Sequence, residues 1–150
     1  MNKKVKKELD KILKHYKWKN IDDINWLNIS IEQNLSEDFI REFHDKVDWF
    51  QISRFQKLSE GFIIKEFKDK GKIYWFNISI GQKLSEDFIR KFQDKVNWEN
   101  ISCFQDLSDE FIEEFKDKLD LDSMVGENKI SKELYYKLNK VSYIECRFVK

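Results

Sequence analysis

A chain of 150 residues is long enough for one domain with a real core, and 28 Lys plus Arg against 28 Asp plus Glu leave no net charge to draw the whole molecule to nucleic acid or membrane. An aromatic content of 15% excludes a disordered chain. Pro, Ala and Thr are absent while Lys, Asn, Ile, Phe and Asp abound, a bias that fits AT-rich codons and speaks of origin rather than mechanism.

The first element is predicted within residues 1–24. Val5, Leu9, Ile12, Leu13 and Tyr16 fall on one helical stripe, with lysines on the other face. Residues 1–19 carry eight lysines against Glu8 and Asp10, a local net of +6, so the remainder sums to −6. This basic amphipathic helix is expected to cap the N-terminal end of the domain. The competing reading has it lying on an anionic surface.

From residue 25 the chain repeats itself. Trp26, Trp49, Trp75 and Trp98 are spaced 23, 26 and 23, and the pairs Leu35-Ser36, Leu58-Ser59, Leu84-Ser85 and Leu107-Ser108 keep step. Each unit predicts two short helices of about 9–12 residues, too short to stand alone in water. The first, as in "LSEDFIREFHDKV" over about 35–47, opens with Ser36 as N-cap and with acids in its first turn. Its stripe is Phe39, Ile40, Phe43 and Val47. The second, about 48–57, starts at a cap such as Asp48 or Asn97 and carries Trp49, Ile52, Ser53 and Gln56 on one face. The four tryptophans are expected in equivalent, largely buried places.

The spacing of 26 comes from one extra residue between Phe62 and Phe67 and two more around Gly71. It predicts a bulge and a broken helix end near 61–74. One further step from Leu107 reaches Ile130-Ser131, with Leu121 and Met124 at the Trp and Ile positions. That is a degraded fifth unit, fit for a terminal cap. The expected architecture is therefore all-α: a short helix-turn-helix repeat stack, solenoid-like, in a single domain 1–150. It comprises an N-terminal cap (1–24), repeats (25–128), and a degraded repeat with C-terminal cap (129–150).

Some positions never change. Ser30 and Gln33, Ser53 and Gln56, Ser79 and Gln82, Ser102 and Gln105 recur on the same face as the core Trp and Ile. Polar groups on a buried stripe need hydrogen-bond partners, so they predict a structural ladder to neighbouring backbone. A catalytic Ser would need an adjacent, oriented base. The chain has only His15, among lysines, and His44, on a charged face. No Gly-rich phosphate loop, CxxC, HExxH or EF-hand spacing occurs. The expectation is a non-enzyme without cofactor or metal. Cys103 and Cys146 are too few for a disulfide framework. With no bilayer-length apolar run and no secretory signal, they predict free thiols in a cytoplasmic protein.

Other positions vary. The outward side of the second helices holds Leu27, Asn28 and Ile31; Phe50, Gln51 and Arg54; Phe76, Asn77 and Ile80; Glu99, Asn100 and Cys103; with Phe55 and Phe104 flanking. Either these helices are sandwiched between neighbours, or this side is a surface that grips a partner. On the second reading the candidate contacts are Leu27, Ile31, Phe50, Arg54, Phe55, Phe76, Ile80 and Phe104.

The wording "LSEDFIRKFQDKVNWENIS" resembles a short helical repeat, about 23 residues long, of uncharacterised proteins from AT-rich bacteria, their phages and large DNA viruses. The resemblance covers roughly residues 24–140. It implies an α-helical repeat and no activity of its own, and it suggests a host-directed binder such as an inhibitor of a defence protein. The expected function is thus protein binding by a non-enzymatic repeat module, with no membrane partner. The alternative is nucleic-acid binding through the lysine-rich first helix, which the acidic balance of the other residues opposes.

Overall fold

The computed structural model describes residues 1–139, and the expected C-terminal cap past Asn139, with Cys146, lies outside them. Among the described residues every regular element is helical, with eleven α-helices, one 3₁₀ turn and no strand. The chain divides into two compact units, Met1–Gln82 and Lys83–Lys150.

In the first unit, α1 (Lys3–Tyr16) begins at Asn2, whose side chain accepts from Val5 N at 2.9 Å. It ends where Lys17 turns left-handed at φ 59°. Val5, Leu9 and Ile12 are buried, and Leu13 and Tyr16 half-buried, so the stripe read from the sequence is its inner face. A 3₁₀ turn at Ile21–Asp23, closed by an Asn20–Asp23 capping box, leads into α2 (Trp26–Glu32). Then come α3 (Glu37–Glu42), α4 (Trp49–Phe55), α5 (Glu60–Phe67) and α6 (Lys72–Gly81). The second unit holds α7 (Glu86–Lys91), α8 (Trp98–Phe104), α9 (Asp109–Glu114), α10 (Leu121–Gly126) and α11 (Lys132–Leu138).

Local chemistry sets these boundaries. Ser36, Ser59, Ser85, Ser108 and Ser131 each cap a first helix, their hydroxyls accepting the backbone N–H three residues on. Asn25, Asp48, Asn97 and Asp120 cap second helices in the same way. Apart from α6, with ten residues, the helices of the units are shorter than the predicted 9–12 residues, and the turn between them is the reason. The stripe continues through Val47, but Phe43 leaves helical geometry at φ −110°, ψ 33°, and Val47 N bonds Phe43 O in a turn. Trp49 Nε1 donates to His44 O at 2.7 Å, and Trp98 Nε1 to Gln93 O at 3.0 Å, pinning that turn closed.

The core is made of the two stripes. Phe39, Ile40, Ile29, Ile52, Phe62, Ile63, Phe67 and Ile78 are at most 1% exposed in the first unit, as are Ile89, Ile101, Phe111 and Ile112 in the second. Burying each such side chain stabilises by about 1.5–3 kcal/mol before entropy is counted. The tryptophans are not uniform. Trp75 is 2% exposed, whereas Trp26, Trp49 and Trp98 are half-buried. Each of these three lies against two core phenylalanines and carries a lysine over its ring. Lys70 Nζ is 4.5 Å from the Trp49 centroid, Lys118 Nζ 5.2 Å from Trp98 and Lys46 Nζ 6.0 Å from Trp26. Cation–π contact with partial solvation explains why these rings stay half open.

The irregular stretch also differs from its prediction. The extra residue between Phe62 and Phe67 lengthens α5 as an ordinary α-helix and makes no bulge. Gly71 closes no helix by a left-handed turn. It is the N-cap of α6 at φ −68°, and α6 gains a turn (Lys72, Ile73, Tyr74) before Trp75.

Candidate functional site

The second helices are tied together by their glutamines. Gln56 Nε2 donates to Ser30 O at 2.8 Å and Gln33 O at 2.7 Å, while its Oε1 accepts from Leu35 N at 2.9 Å. Gln82 repeats this one step on, donating to Ser53 O (2.9 Å) and Gln56 O (2.7 Å) and accepting from Leu58 N (3.1 Å). These carbonyls end the preceding helix and have no partner within it, so each glutamine satisfies its neighbour's C-terminus. In the second unit Gln105 Oε1 likewise accepts from Leu84 N at 3.0 Å. There Lys129 takes the donor role toward the carbonyls of Ser102 and Cys103.

The serines complete the ladder. Ser30 Oγ donates to Trp26 O (2.7 Å) and accepts from Asp48 N (3.1 Å), and Ser102 does the same with Trp98 O (2.8 Å) and Asp120 N (2.9 Å). Ser53 Oγ donates to Phe50 O and accepts instead from Asn77 Nδ2 at 3.2 Å. That bond buries Asn77 fully, and Asn100 is 7% exposed, so neither belongs to the outward side where the spacing put them. Ser30, Ser53, Ser79 and Ser102 all give their hydroxyl proton to a backbone carbonyl.

Because Gln56 and Gln82 make the same bonds, α2, α4 and α6 share one register, and their outward positions align in rows. One position past each tryptophan stand Leu27, Phe50 and Phe76, which are 47%, 37% and 39% exposed. Four positions further come Ile31 and Arg54, both exposed, and Ile80, half-buried. Phe55 is half open at 50%, with the Arg54 guanidinium 5.5 Å from its centroid. Ile73, at 52% exposure, joins them from the added turn of α6, spaced i, i+3, i+7 with Phe76 and Ile80. Its sequence signal was that spacing, hidden by the expectation of a broken helix end near 61–74.

Glycine has one exacting place here. A Cβ on Gly81 would lie 2.0 Å from Arg54 O, so α6 can approach α4 this closely only without a side chain. The corresponding residues elsewhere are Glu32, Phe55 and Phe104. In the second unit the outward row of α8 opens with exposed Glu99 and continues to half-buried Cys103, and Phe104 is 56% exposed.

The backs of the first helices are organised differently. Arg41 lies within 3.5 Å of Glu37, Asp38 and Glu66 and covers the Phe62 ring at 4.7 Å. Arg90 repeats the arrangement with Glu86 (3.7 Å), Asp87 (3.1 Å) and Glu114 (2.8 Å), over Phe111 at 4.9 Å. The Glu114 hydrogen bond holds the Arg90 guanidinium above its ordinary pKa. Ser123 holds the Asp120 cap below the usual carboxylate range. Burial, with Glu32 as acceptor, raises Tyr16.

His15 and His44 are exposed and Cys103 is half-buried. Among the described residues no three His, Cys, Asp or Glu side chains cluster so as to hold a metal ion, and no helix is long and apolar enough to cross a membrane. Comparison with known protein families, curated proteins and solved structures finds no match.

Proposed function

We propose that this chain is a non-enzymatic helical-repeat protein that binds another protein through the outward side of α2, α4 and α6. One observation carries the reading. Of the eight large apolar side chains exposed among the described residues, six (Leu27, Ile31, Phe50, Phe55, Ile73 and Phe76) stand on these three helices. Apolar side chains gathered on one face, with Arg54 among them and a ladder holding them in register, form the palette and the rigid backing of a protein-binding surface. Phe104, on α8, is a further candidate contact.

The recurring Gln and Ser bonds support a repeat organisation in which, within each unit, one pair of helices closes on the next. Three bonds support α1 as its N-terminal cap. Glu8 accepts from Ser36 N at 2.8 Å and Ser36 Oγ at 2.6 Å, in the manner of Glu37 toward Ser59 N and Glu86 toward Ser108 N. Tyr16 OH receives Gln33 Nε2 at 2.9 Å, ending the ladder on a side chain. The repeat's resemblance to proteins of phages and AT-rich bacteria extends the proposal to a blocking role against a host protein in the cytoplasm.

The test is comparative capture from cells, read by quantitative mass spectrometry. The tagged parent and Lys65→Glu, an exposed charge on α5, should retain one common protein. Phe50→Ala/Phe76→Ala should lose it, since truncating a central anchor costs at least about 2 kcal/mol, roughly thirtyfold in affinity. Retention by the double variant would contradict the reading.

A further inference from the structure

We infer that the groove beside α1 binds a short run of phosphate groups, supplied by single-stranded nucleic acid or by inorganic polyphosphate. The groove has a volume of about 570 Å³. One wall is α1, where Lys4, Lys7, Lys11 and His15 put one basic side chain on each turn. With a rise of about 5.4 Å per turn, the row spans roughly 16 Å. The amide side chains of Gln33 and Asn34 line it as well. A phosphate group has several acceptor oxygens, so one group can take a lysine and an amide together.

The cations of this row are uncommitted. Lys4, Lys7 and Lys11 form no ion pair with any described residue, while Arg41, Arg90 and Lys137 are matched by carboxylates and Lys46, Lys70 and Lys118 lie over aromatic rings. Among the described residues Glu8 is the one acid in the groove, and both its oxygens already accept from Ser36. The helix itself points the same way. α3, α5, α7, α9 and α11 open with acids, but α1 has none in its first turn and carries Lys3, Lys4 and Lys6 there. Cations at the positive end of a helix dipole repel it, a cost that an external anion relieves. The −6 balance of residues 20–150 confines the site to this end, so the ligand is a short segment and not a strand tracked along the chain.

The experiment is fluorescence anisotropy of labelled oligothymidylate, about twelve nucleotides long, against the full chain at low salt. Affinity should fall with salt at a log–log slope of about −2 to −3, the release expected for three or four contacts at about −0.7 each. Lys4→Gln/Lys7→Gln/Lys11→Gln should weaken binding about tenfold or more. Lys57→Gln/Lys72→Gln/Lys83→Gln removes equal charge from exposed positions away from α1 and should cost less than about threefold. Far-UV circular dichroism should show unchanged helicity in both triples. Polyphosphate should compete and polyglutamate should not. If polyphosphate binds but the oligonucleotide does not, polyphosphate is the source, and the reverse result assigns nucleic acid. Equal losses in the two triples, competition by polyglutamate matching polyphosphate, or no binding of either phosphate polymer at low salt would overturn the inference.

Discussion

The inward and outward sides of the second helices obey opposite rules. Inward, Ile29, Ile52, Ile78 and Ile101 are fully buried, and Ser and Gln recur at fixed offsets because the serines satisfy carbonyls of their own helix while Gln56, Gln82 and Gln105 satisfy backbone groups of a neighbouring segment. Outward, the same helices place Leu27, Phe50, Phe76 and Glu99 at one position and Ile31, Arg54, Ile80 and Cys103 at another. Where geometry requires one hydrogen-bond pattern, the residues repeat. Where the ladder makes no demand, they diverge, and in the first unit they diverge toward apolar anchors. The difference separates residues that hold the ladder together from residues that the proposed partner would select.

The largest effect should come from removing an inward side chain. Trp75→Ala should cost about 3–5 kcal/mol through lost burial and the cavity left behind, seen as a large drop in the thermal melt. A melt within a degree or two of the parent would break the comparison on its inward side. Close behind, Gln82→Leu strips partners from Ser53 O, Gln56 O and Leu58 N. Leaving buried backbone groups unsatisfied costs about 1–3 kcal/mol each, so a loss of about 3 kcal/mol is expected in chemical denaturation. Gly81→Ala tests the close approach of α6 to α4 and should cost about 1–3 kcal/mol, because the atom it meets is backbone and cannot rotate away. Least of all, Phe50→Ala and Phe76→Ala should each change stability by less than about 1 kcal/mol.

Much of the inward side was legible from sequence. The serine and Asx caps, the helical stripes and the Ser–Gln ladder are dictated by spacing and by the need to satisfy buried polar groups. The rest was hidden for physical reasons. Phe43 and Val47 keep helical spacing beyond the end of α3, and the turn there is set by bonds from other elements, the Trp49 indole and Ser30, which no local pattern announces. Asn77 and Asn100 share the periodicity of the outward side yet are buried, Asn77 through its bonds to Phe50 O and Ser53 Oγ. Arg41 and Arg90 stand opposite the apolar stripes of their helices, and no spacing announces that each clamps three carboxylates and an aromatic ring. On the outward side the spacing identified the residues and could not tell burial from exposure, since an apolar residue has the same period in either setting. The exposure of Leu27, Ile31, Phe50, Phe55 and Phe76 is set by the packing of the helices, which no local spacing encodes.

The central claim is that the apolar side chains on the outward side of the first unit are not needed for folding and serve the proposed complex. Its most direct test is one double variant, Phe50→Ala/Phe76→Ala, measured for thermal unfolding and for capture of the protein that the parent retains. The account predicts a melting temperature close to the parent's together with loss of capture. A melting temperature lowered as far as that of Trp75→Ala, with capture intact, would show that these rings belong to the core and would contradict it.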